Sequence, residues 1–472
     1  MNEQNTLNFS QEDVNTQGST NFFQIDFLKA LMILLVIFDH FVSWNIKNQI
    51  GVALWERISI PVFLILLGFN MGYSFRKQGD VSLKELYSKN YFKKKILRFI
   101  IPFLILYAFS TFIGLFMYGF NFELMYNTQY SPEHGLINLF YFILPFWGPG
   151  NWFIPLLFQS ILILPLLYYG FKKRPVLTLI LTFVVEILMQ LIVFVVIGEI
   201  TTWEELYLLS MFNESVLFYL SAIGLGMWFS FGHGISDRRN RFMWVLFPLS
   251  LIYIIAYQFF DFQIRINDVP LLRGDYHFLV IPYSAFLILF TLKYLSNSSN
   301  SKISKGISLI GKSTYHILLI QILGYGMITA WWGTHYGIDV PFNPFDLIDL
   351  VVLEIIFVLF GILWYKIDKI KNLTRRTFYY LNLFIVFSSL LFLTFWAQGF
   401  WIPLNLLIII LYAGGFLILY AFIKKRIDTK ILGIWTGFLV LNFTLIIFQV
   451  RMSLVSESWI FFILSQNIIK IN

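Results

Sequence analysis

Apolar runs long enough to cross a bilayer recur along most of this chain, and that repetition constrains the fold more than any other feature. The hydrocarbon core is about 30 Å thick, so a helical crossing takes about 20 residues. Such runs lie at 25–44, 58–75, 99–119, 152–170, 176–198, 209–231, 242–260, 277–295, 307–330 and 347–366. Three more follow at 379–396, 401–423 and 431–450, with a shorter one at 457–470. In lipid every backbone N–H and C=O needs a partner, which long uninterrupted runs find only as helices. The reading is an all-α polytopic membrane bundle. Composition agrees: 13% of the 472 residues are charged and 58% apolar, too few charges to cover a soluble protein of this size. A soluble enzyme, a disordered chain and a nucleic-acid-binding domain are excluded. There is no Cys, which removes disulfides, thiolate nucleophiles and thiolate-held metals, and no metal site is expected.

The charges sort by loop. Arg76, Lys77, Lys84, Lys89, Lys93, Lys94, Lys95 and Arg98 lie between the second and third runs. Alternate later loops carry Lys172–Arg174, then Arg238, Arg239 and Arg241, then Lys302, Lys305 and Lys312, then Lys366, Lys369 and Lys371, then Lys424–Arg426. The loops between them are acidic, with Glu123 and Glu133, Glu199, Glu204 and Glu205, Asp261, Asp268 and Asp275, and Asp339, Asp346 and Asp349. Lys and Arg stay on the cytoplasmic side, so the N-terminus is expected to be cytoplasmic and the net charge of +8 needs no nucleic-acid partner. Residues 1–21 are polar and lack a basic stretch before an apolar core, so they read as a cytoplasmic tail rather than a signal peptide. Between 137 and 170 two apolar runs flank Trp147–Trp152. Crossing twice would put Glu133 and Lys172 on one side, so the first run reads as an interfacial or re-entrant piece.

The first span holds an unusual set of polar groups: Asp26, Lys29, Asp39 and His40. Ionisable residues inside spans are costly and are functional candidates by default. Lys29 and His40 are eleven positions apart, which returns a helix to nearly the same face after a rise of roughly 16 Å. Asp26 lies one turn before Lys29 and is placed to pair with it. A cation at the cytoplasmic end suits a phosphorylated donor, and an imidazole deeper in the membrane suits a general base. The same pattern also fits a snorkelling lysine and a structural interhelical histidine. His316, Glu186 and Glu354 are further ionisable groups within spans. His316 is a reserve base, and Glu354 a further candidate near the outer mouth.

Lys29, ten residues, then His40 resembles the first-span signature of the acyltransferase 3 family, membrane acyltransferases that modify O-antigens, peptidoglycan and other glycans. That family has Arg where Lys29 stands, preceded by Asp-Gly-Leu, here Asp26-Phe27-Leu28. Gly68-Phe69 resembles the end of a second-span stretch, with Leu67 where Ser is common. Lys95-Ile96-Leu97-Arg98 followed by Pro102 resembles Arg-x-x-Arg before a Pro. Asn151-Trp152-Phe153 with Pro165, the glycines 224 and 226, and Gly311-Lys312-Ser313-Thr314-Tyr315 resemble later motifs in order. Gln321 stands where the family often has His.

The resemblance covers residues 22–370 and implies a ten-span acyltransferase domain there, with residues 378–472 adding three or four further spans. It implies a multi-pass cell-membrane enzyme that takes acyl, usually acetyl, from cytoplasmic acyl-CoA. The acceptor would be a hydroxyl or amine of a glycan or lipid-linked molecule at the outer face. By position, His40 would be the general base; Lys29, Lys95 and Arg98 would hold the donor's phosphates; Trp152 would line the cavity. Positive-inside charge explains Lys95 and Arg98 equally well, and an interfacial aromatic belt explains Trp152. Some relatives carry a fused hydrolase-like domain. Here transfer is expected to be direct or finished by a separate extracytoplasmic transferase. The alternative is an exporter or flippase of a polysaccharide or lipid-linked sugar, which would favour repeated halves with broken helices.

Overall fold

The computed structural model describes residues 22–42, 44–117, 150–199, 205, 208–209, 212–296, 301–332 and 344–396. Among them the chain is helical, apart from one small hairpin. The helices that carry the architecture are α1 (Phe23–Phe41), α2 (Val52–Arg76), α3 (Ile101–Met117), α4 (Phe153–Lys173), α5 (Pro175–Ile197) and α6 (Leu220–Ser230). They continue with α7 (Met243–Phe260), α8 (Ile281–Tyr294), α9 (Lys302–Trp332), α10 (Pro344–Asp368) and α11 (Leu373–Trp396). The hairpin pairs Arg265–Ile266 with Val269–Pro270. Its turn residues Asn267 and Asp268 take positive φ, the left-handed backbone that two-residue hairpin turns require.

Among the described residues seven helices are long and apolar enough to cross a membrane, and two apolar helices, Val216–Ser230 and Ile281–Tyr294, are shorter. The apolar faces of α5 and α7 point outward: Val184, Leu188 and Val195 on α5, and Val245, Leu249 and Ile252 on α7, are exposed. Outward faces of that extent call for lipid rather than water.

Two sequence-based ranges are longer than the helices found. The run 209–231 is not one helix: Phe212 and Asn213 are helical, Glu214 is a turn, and a 3-10 turn over Val216–Tyr219, begun where Ser215 accepts from the Leu217 N–H, leads into α6. The run 277–295 shortens to α8, whose start is set by the His277 carbonyl accepting from the N–H groups of Val280 and Ile281. Buried all round, α6 need not match the lipid thickness. The stretch 137–149 and the spans 401–423, 431–450 and 457–470 lie outside the described residues.

At the centre α6 packs along α2, and α9 packs along both α1 and α10. Glycine permits the first of these contacts. A Cβ on Gly68 would strike the Ile223 carbonyl, and one on Gly226 the Ile65 carbonyl. Small residues let helix backbones close together where lipid supplies no hydrophobic drive. Glu186 of α5 spends its carboxylate here, accepting the Ser221 N–H at 3.0 Å near the start of α6, where N–H groups lack an intrahelical partner. Gln159 likewise joins helix to loop, donating to the Glu214 carbonyl at 3.0 Å and accepting from the Val216 N–H at 2.9 Å.

Candidate functional site

A cavity of about 740 Å³ runs alongside α1, and Asp26, Lys29 and His40 all line it. Helical spacing places Lys29 and His40 on one stripe, roughly 16 Å apart along the axis, so they mark the cavity's two ends. Lys95, Arg98, Trp152 and His316 line the same space. Glu354 does not: it is half-buried on α10, eleven residues before the lining residue Tyr365 and so roughly 16 Å further along the helix.

The Lys29 end is cationic. Lys94, Lys95, Arg98, Lys312 and Lys369 also face it, against Asp26 and Asp368. Lys95 precedes, and Arg98 lies within, a π-helical turn over Ile96–Ile100. Within it the Ile101 N–H bonds the Ile96 carbonyl, five residues back, and Pro102, which follows, has no N–H to serve the Arg98 carbonyl. The Lys95 ammonium donates to Met71 Sδ at 2.7 Å and lies 5.7 Å and 5.6 Å from the ring centroids of Tyr91 and Phe99. Among the described residues neither Lys95 nor Arg98 has an ion-pair partner.

Asp26 makes its ion pair with Lys312 and not, among the described residues, the one with Lys29 expected from sequence. Its Oδ2 accepts from Ser308 Oγ at 2.5 Å and lies 3.6 Å from Lys312 Nζ. The cause is the close approach of α9 to α1 at Gly311, where a Cβ would strike the Asp26 carbonyl oxygen. Ser308 and Lys312 are thereby carried to the carboxylate. Among the described residues Lys29 is left with no ion-pair or hydrogen-bond partner. His316 stands beside the end of α10, its Nε2 2.7 Å from Asp368 Oδ2, while the Tyr380 hydroxyl donates to the other Asp368 oxygen.

The other end is aromatic and acidic. The His40 Nδ1 is hydrogen-bonded by the Gln321 amide, and the Tyr325 ring stands edge-on to the imidazole with centroids 6.1 Å apart. Gly150, at φ +88°, packs beside His40 Cε1. Trp152 stacks with Tyr276, centroids 5.9 Å apart and planes at 20°. Asp39 pairs with Lys47 at 2.8 Å. Glu56 accepts from the Tyr276 hydroxyl, and both line the cavity. The loop bearing Tyr276 is tied to α2 through Arg57, which holds Asp275 at 2.8 Å and lies 3.7 Å above the Tyr257 ring.

Sequence reasoning did not single out Glu56, Tyr276 or Asp368. For Glu56 a signal existed: the second span, started at 58, begins six residues earlier as a helix, which brings the Glu-Arg pair inside. Tyr276 and Asp368 gave none, because each depends on a loop or helix end brought in by tertiary packing.

The arrangement suits a ligand with polyanionic and uncharged parts. Phosphate-like charge fits the cationic end; a ring or polar group fits the Trp152 end; His40 stands between that second part and whatever group reaches it from the first. A family model described as an acyltransferase domain matches residues 22–364. No curated protein and no solved structure matches the chain.

Proposed function

This chain belongs to the acyltransferase 3 family, and from that premise we propose that it moves an acyl group, acetyl in the first instance, from acyl-CoA to a hydroxyl or amine of a glycan or lipid-linked acceptor. Its family and its outward apolar faces make it a membrane acyltransferase. The further reading has the N-terminus and basic loops in the cytoplasm, α1, α6 and α8 crossing within a ten-span core, and the whole in the cell membrane. The observation that carries it is one cavity lined by His40 together with Lys29, Lys95 and Arg98.

In this account the donor's phosphates meet Lys29, Lys95 and Arg98 from the cytoplasmic side, as charge-assisted hydrogen bonds. The pantetheine arm then spans the distance toward His40 with the thioester at its end. The acceptor enters from the outer side against Trp152 and Tyr276. His40 takes the proton of the acceptor hydroxyl as its oxygen attacks the thioester carbonyl. The C–S bond breaks, and the thiolate of CoA leaves and recovers that proton. A general base placed this way contributes about 10²- to 10⁴-fold. Family membership favours transfer over the exporter alternative.

The test is reconstitution of the full chain in proteoliposomes with labelled acetyl-CoA inside and candidate glycans outside. The account expects CoA release coupled to labelled product, lost in His40→Ala. Uncoupled transport of glycan with no labelled product would favour the exporter instead.

A further inference from the structure

We propose that Gln321 is a positioning residue: it holds the His40 imidazole with its proton on Nδ1, so that the lone pair of Nε2 faces the cavity. The inference rests on the reading of His40 as general base.

Three neighbours enclose the ring. Gln321, on α9 and fully buried, is hydrogen-bonded to Nδ1. Tyr325, one turn further, stands edge-on to the ring at 85°, and its hydroxyl donates to the Ile37 carbonyl at 3.0 Å, pinning α9 to α1 beside the imidazole. Gly150 occupies the Cε1 side, where an added Cβ would sit 3.6 Å from that carbon. With Nδ1 engaged and His40 lining the cavity, Nε2 is the nitrogen left to meet substrate.

The amide of Gln321 can serve this role in one orientation only. With its nitrogen toward Nδ1, the amide donates, so the ring proton must sit on Nε2 and no lone pair faces the substrate. In that orientation the amide oxygen is buried without a hydrogen-bond partner among the described residues; the other orientation puts the amide nitrogen there instead, so the choice rests on the imidazole. A half-turn about the last side-chain bond exchanges two ends of nearly the same shape. The carbonyl oxygen then accepts from Nδ1–H and Nε2 is free to accept a proton. Once it has done so both ring nitrogens donate. An amide nitrogen at Nδ1 would then set donor against donor, whereas the carbonyl still accepts. Proton uptake therefore selects the carbonyl orientation, and Gln321 stabilises the imidazolium without bringing a charge of its own into the bundle.

The experiment uses the full chain in nanodiscs with ¹⁵N-labelled histidine, and acetyl-CoA with an acceptor on which the wild type is active. His40→Ala assigns the His40 resonances. The wild type should show the Nδ1–H tautomer at His40. Gln321→Leu, which keeps the volume and removes the acceptor, should shift the ring toward the Nε2–H tautomer. It should also lower kcat by about 10²-fold, the lower range of general-base contributions, with KM for acetyl-CoA unchanged. Gln321→Glu, which accepts when ionised beside the imidazole, should keep the tautomer, recover most of kcat and move the acidic limb of the pH–kcat/KM profile to higher pH. That recovery is not expected of a residue that only fills space. An Nε2–H tautomer in the wild type would overturn the inference. So would Gln321→Leu with unchanged tautomer and full kcat beside an inactive His40→Ala. Full activity in His40→Ala would overturn the base reading beneath it.

Discussion

Replacing Lys29 by Met tests whether the cationic end holds the donor. The side chain lines the cavity, and Asp26, the carboxylate one turn away, is already engaged by Ser308 at 2.5 Å and Lys312 at 3.6 Å. The ammonium is therefore available to a ligand, and its loss strands no carboxylate. A hydrogen bond to a charged group contributes about 1.5–3 kcal/mol. At about 1.4 kcal/mol per tenfold, that is about a 10- to 150-fold weakening. Steady-state kinetics in proteoliposomes should show KM for acetyl-CoA raised by that factor, with kcat little changed. Lys29→Arg, which keeps the charge, should restore most of it. S-acetyl-pantetheine, which has the thioester but no phosphate, supplies the control: wild type and Lys29→Met should use it equally poorly. An unchanged KM for acetyl-CoA, or an equal loss with both donors, would refute the phosphate role.

The remaining predictions follow from single contacts. Gly311→Val should force α1 and α9 apart, because the added Cβ meets the Asp26 carbonyl oxygen. Thermal unfolding in detergent should report a loss of about 1–3 kcal/mol, as for overpacked cores. Trp152→Ala removes the ring stacked on Tyr276 and should lower kcat/KM for the acceptor by about 2- to 10-fold, from about 0.5–1.5 kcal/mol of ring stacking, while KM for acetyl-CoA stays put. Burial pushes the Glu214 carboxyl, in the loop before α6, up to about 8. The folded state then keeps a proton that the unfolded chain gives up near pH 4.3. Stability should therefore fall as pH rises from about 4.3 to about 8, and Glu214→Gln should flatten that slope in a thermal-shift series.

Helix positions were legible because a period of apolar residues is a local property. Their ends were less so: the 3-10 turn that leads into α6 starts at the Ser215 cap, where the apolar run alone suggested 209, and α2 starts early, at Val52, where the run suggested 58. On α1, spacing alone placed Lys29 and His40 on one wall. Which carboxylate meets which cation was not legible, since it depends on how closely two backbones approach. Asp26 bonds across to Ser308 rather than along its own helix because Gly311 admits α9. Gln321 was visible as a departure from the family pattern, yet its place against His40 Nδ1 emerges only when α9 is laid along α1.

The most direct test of the central claim is transfer of labelled acetyl from acetyl-CoA to an acceptor by the purified chain in proteoliposomes, with His40→Ala measured in parallel. The account predicts stoichiometric CoA release and labelled product from the wild type, and a loss of about 10²- to 10⁴-fold in a folded His40→Ala. Equal product from the two proteins would contradict it.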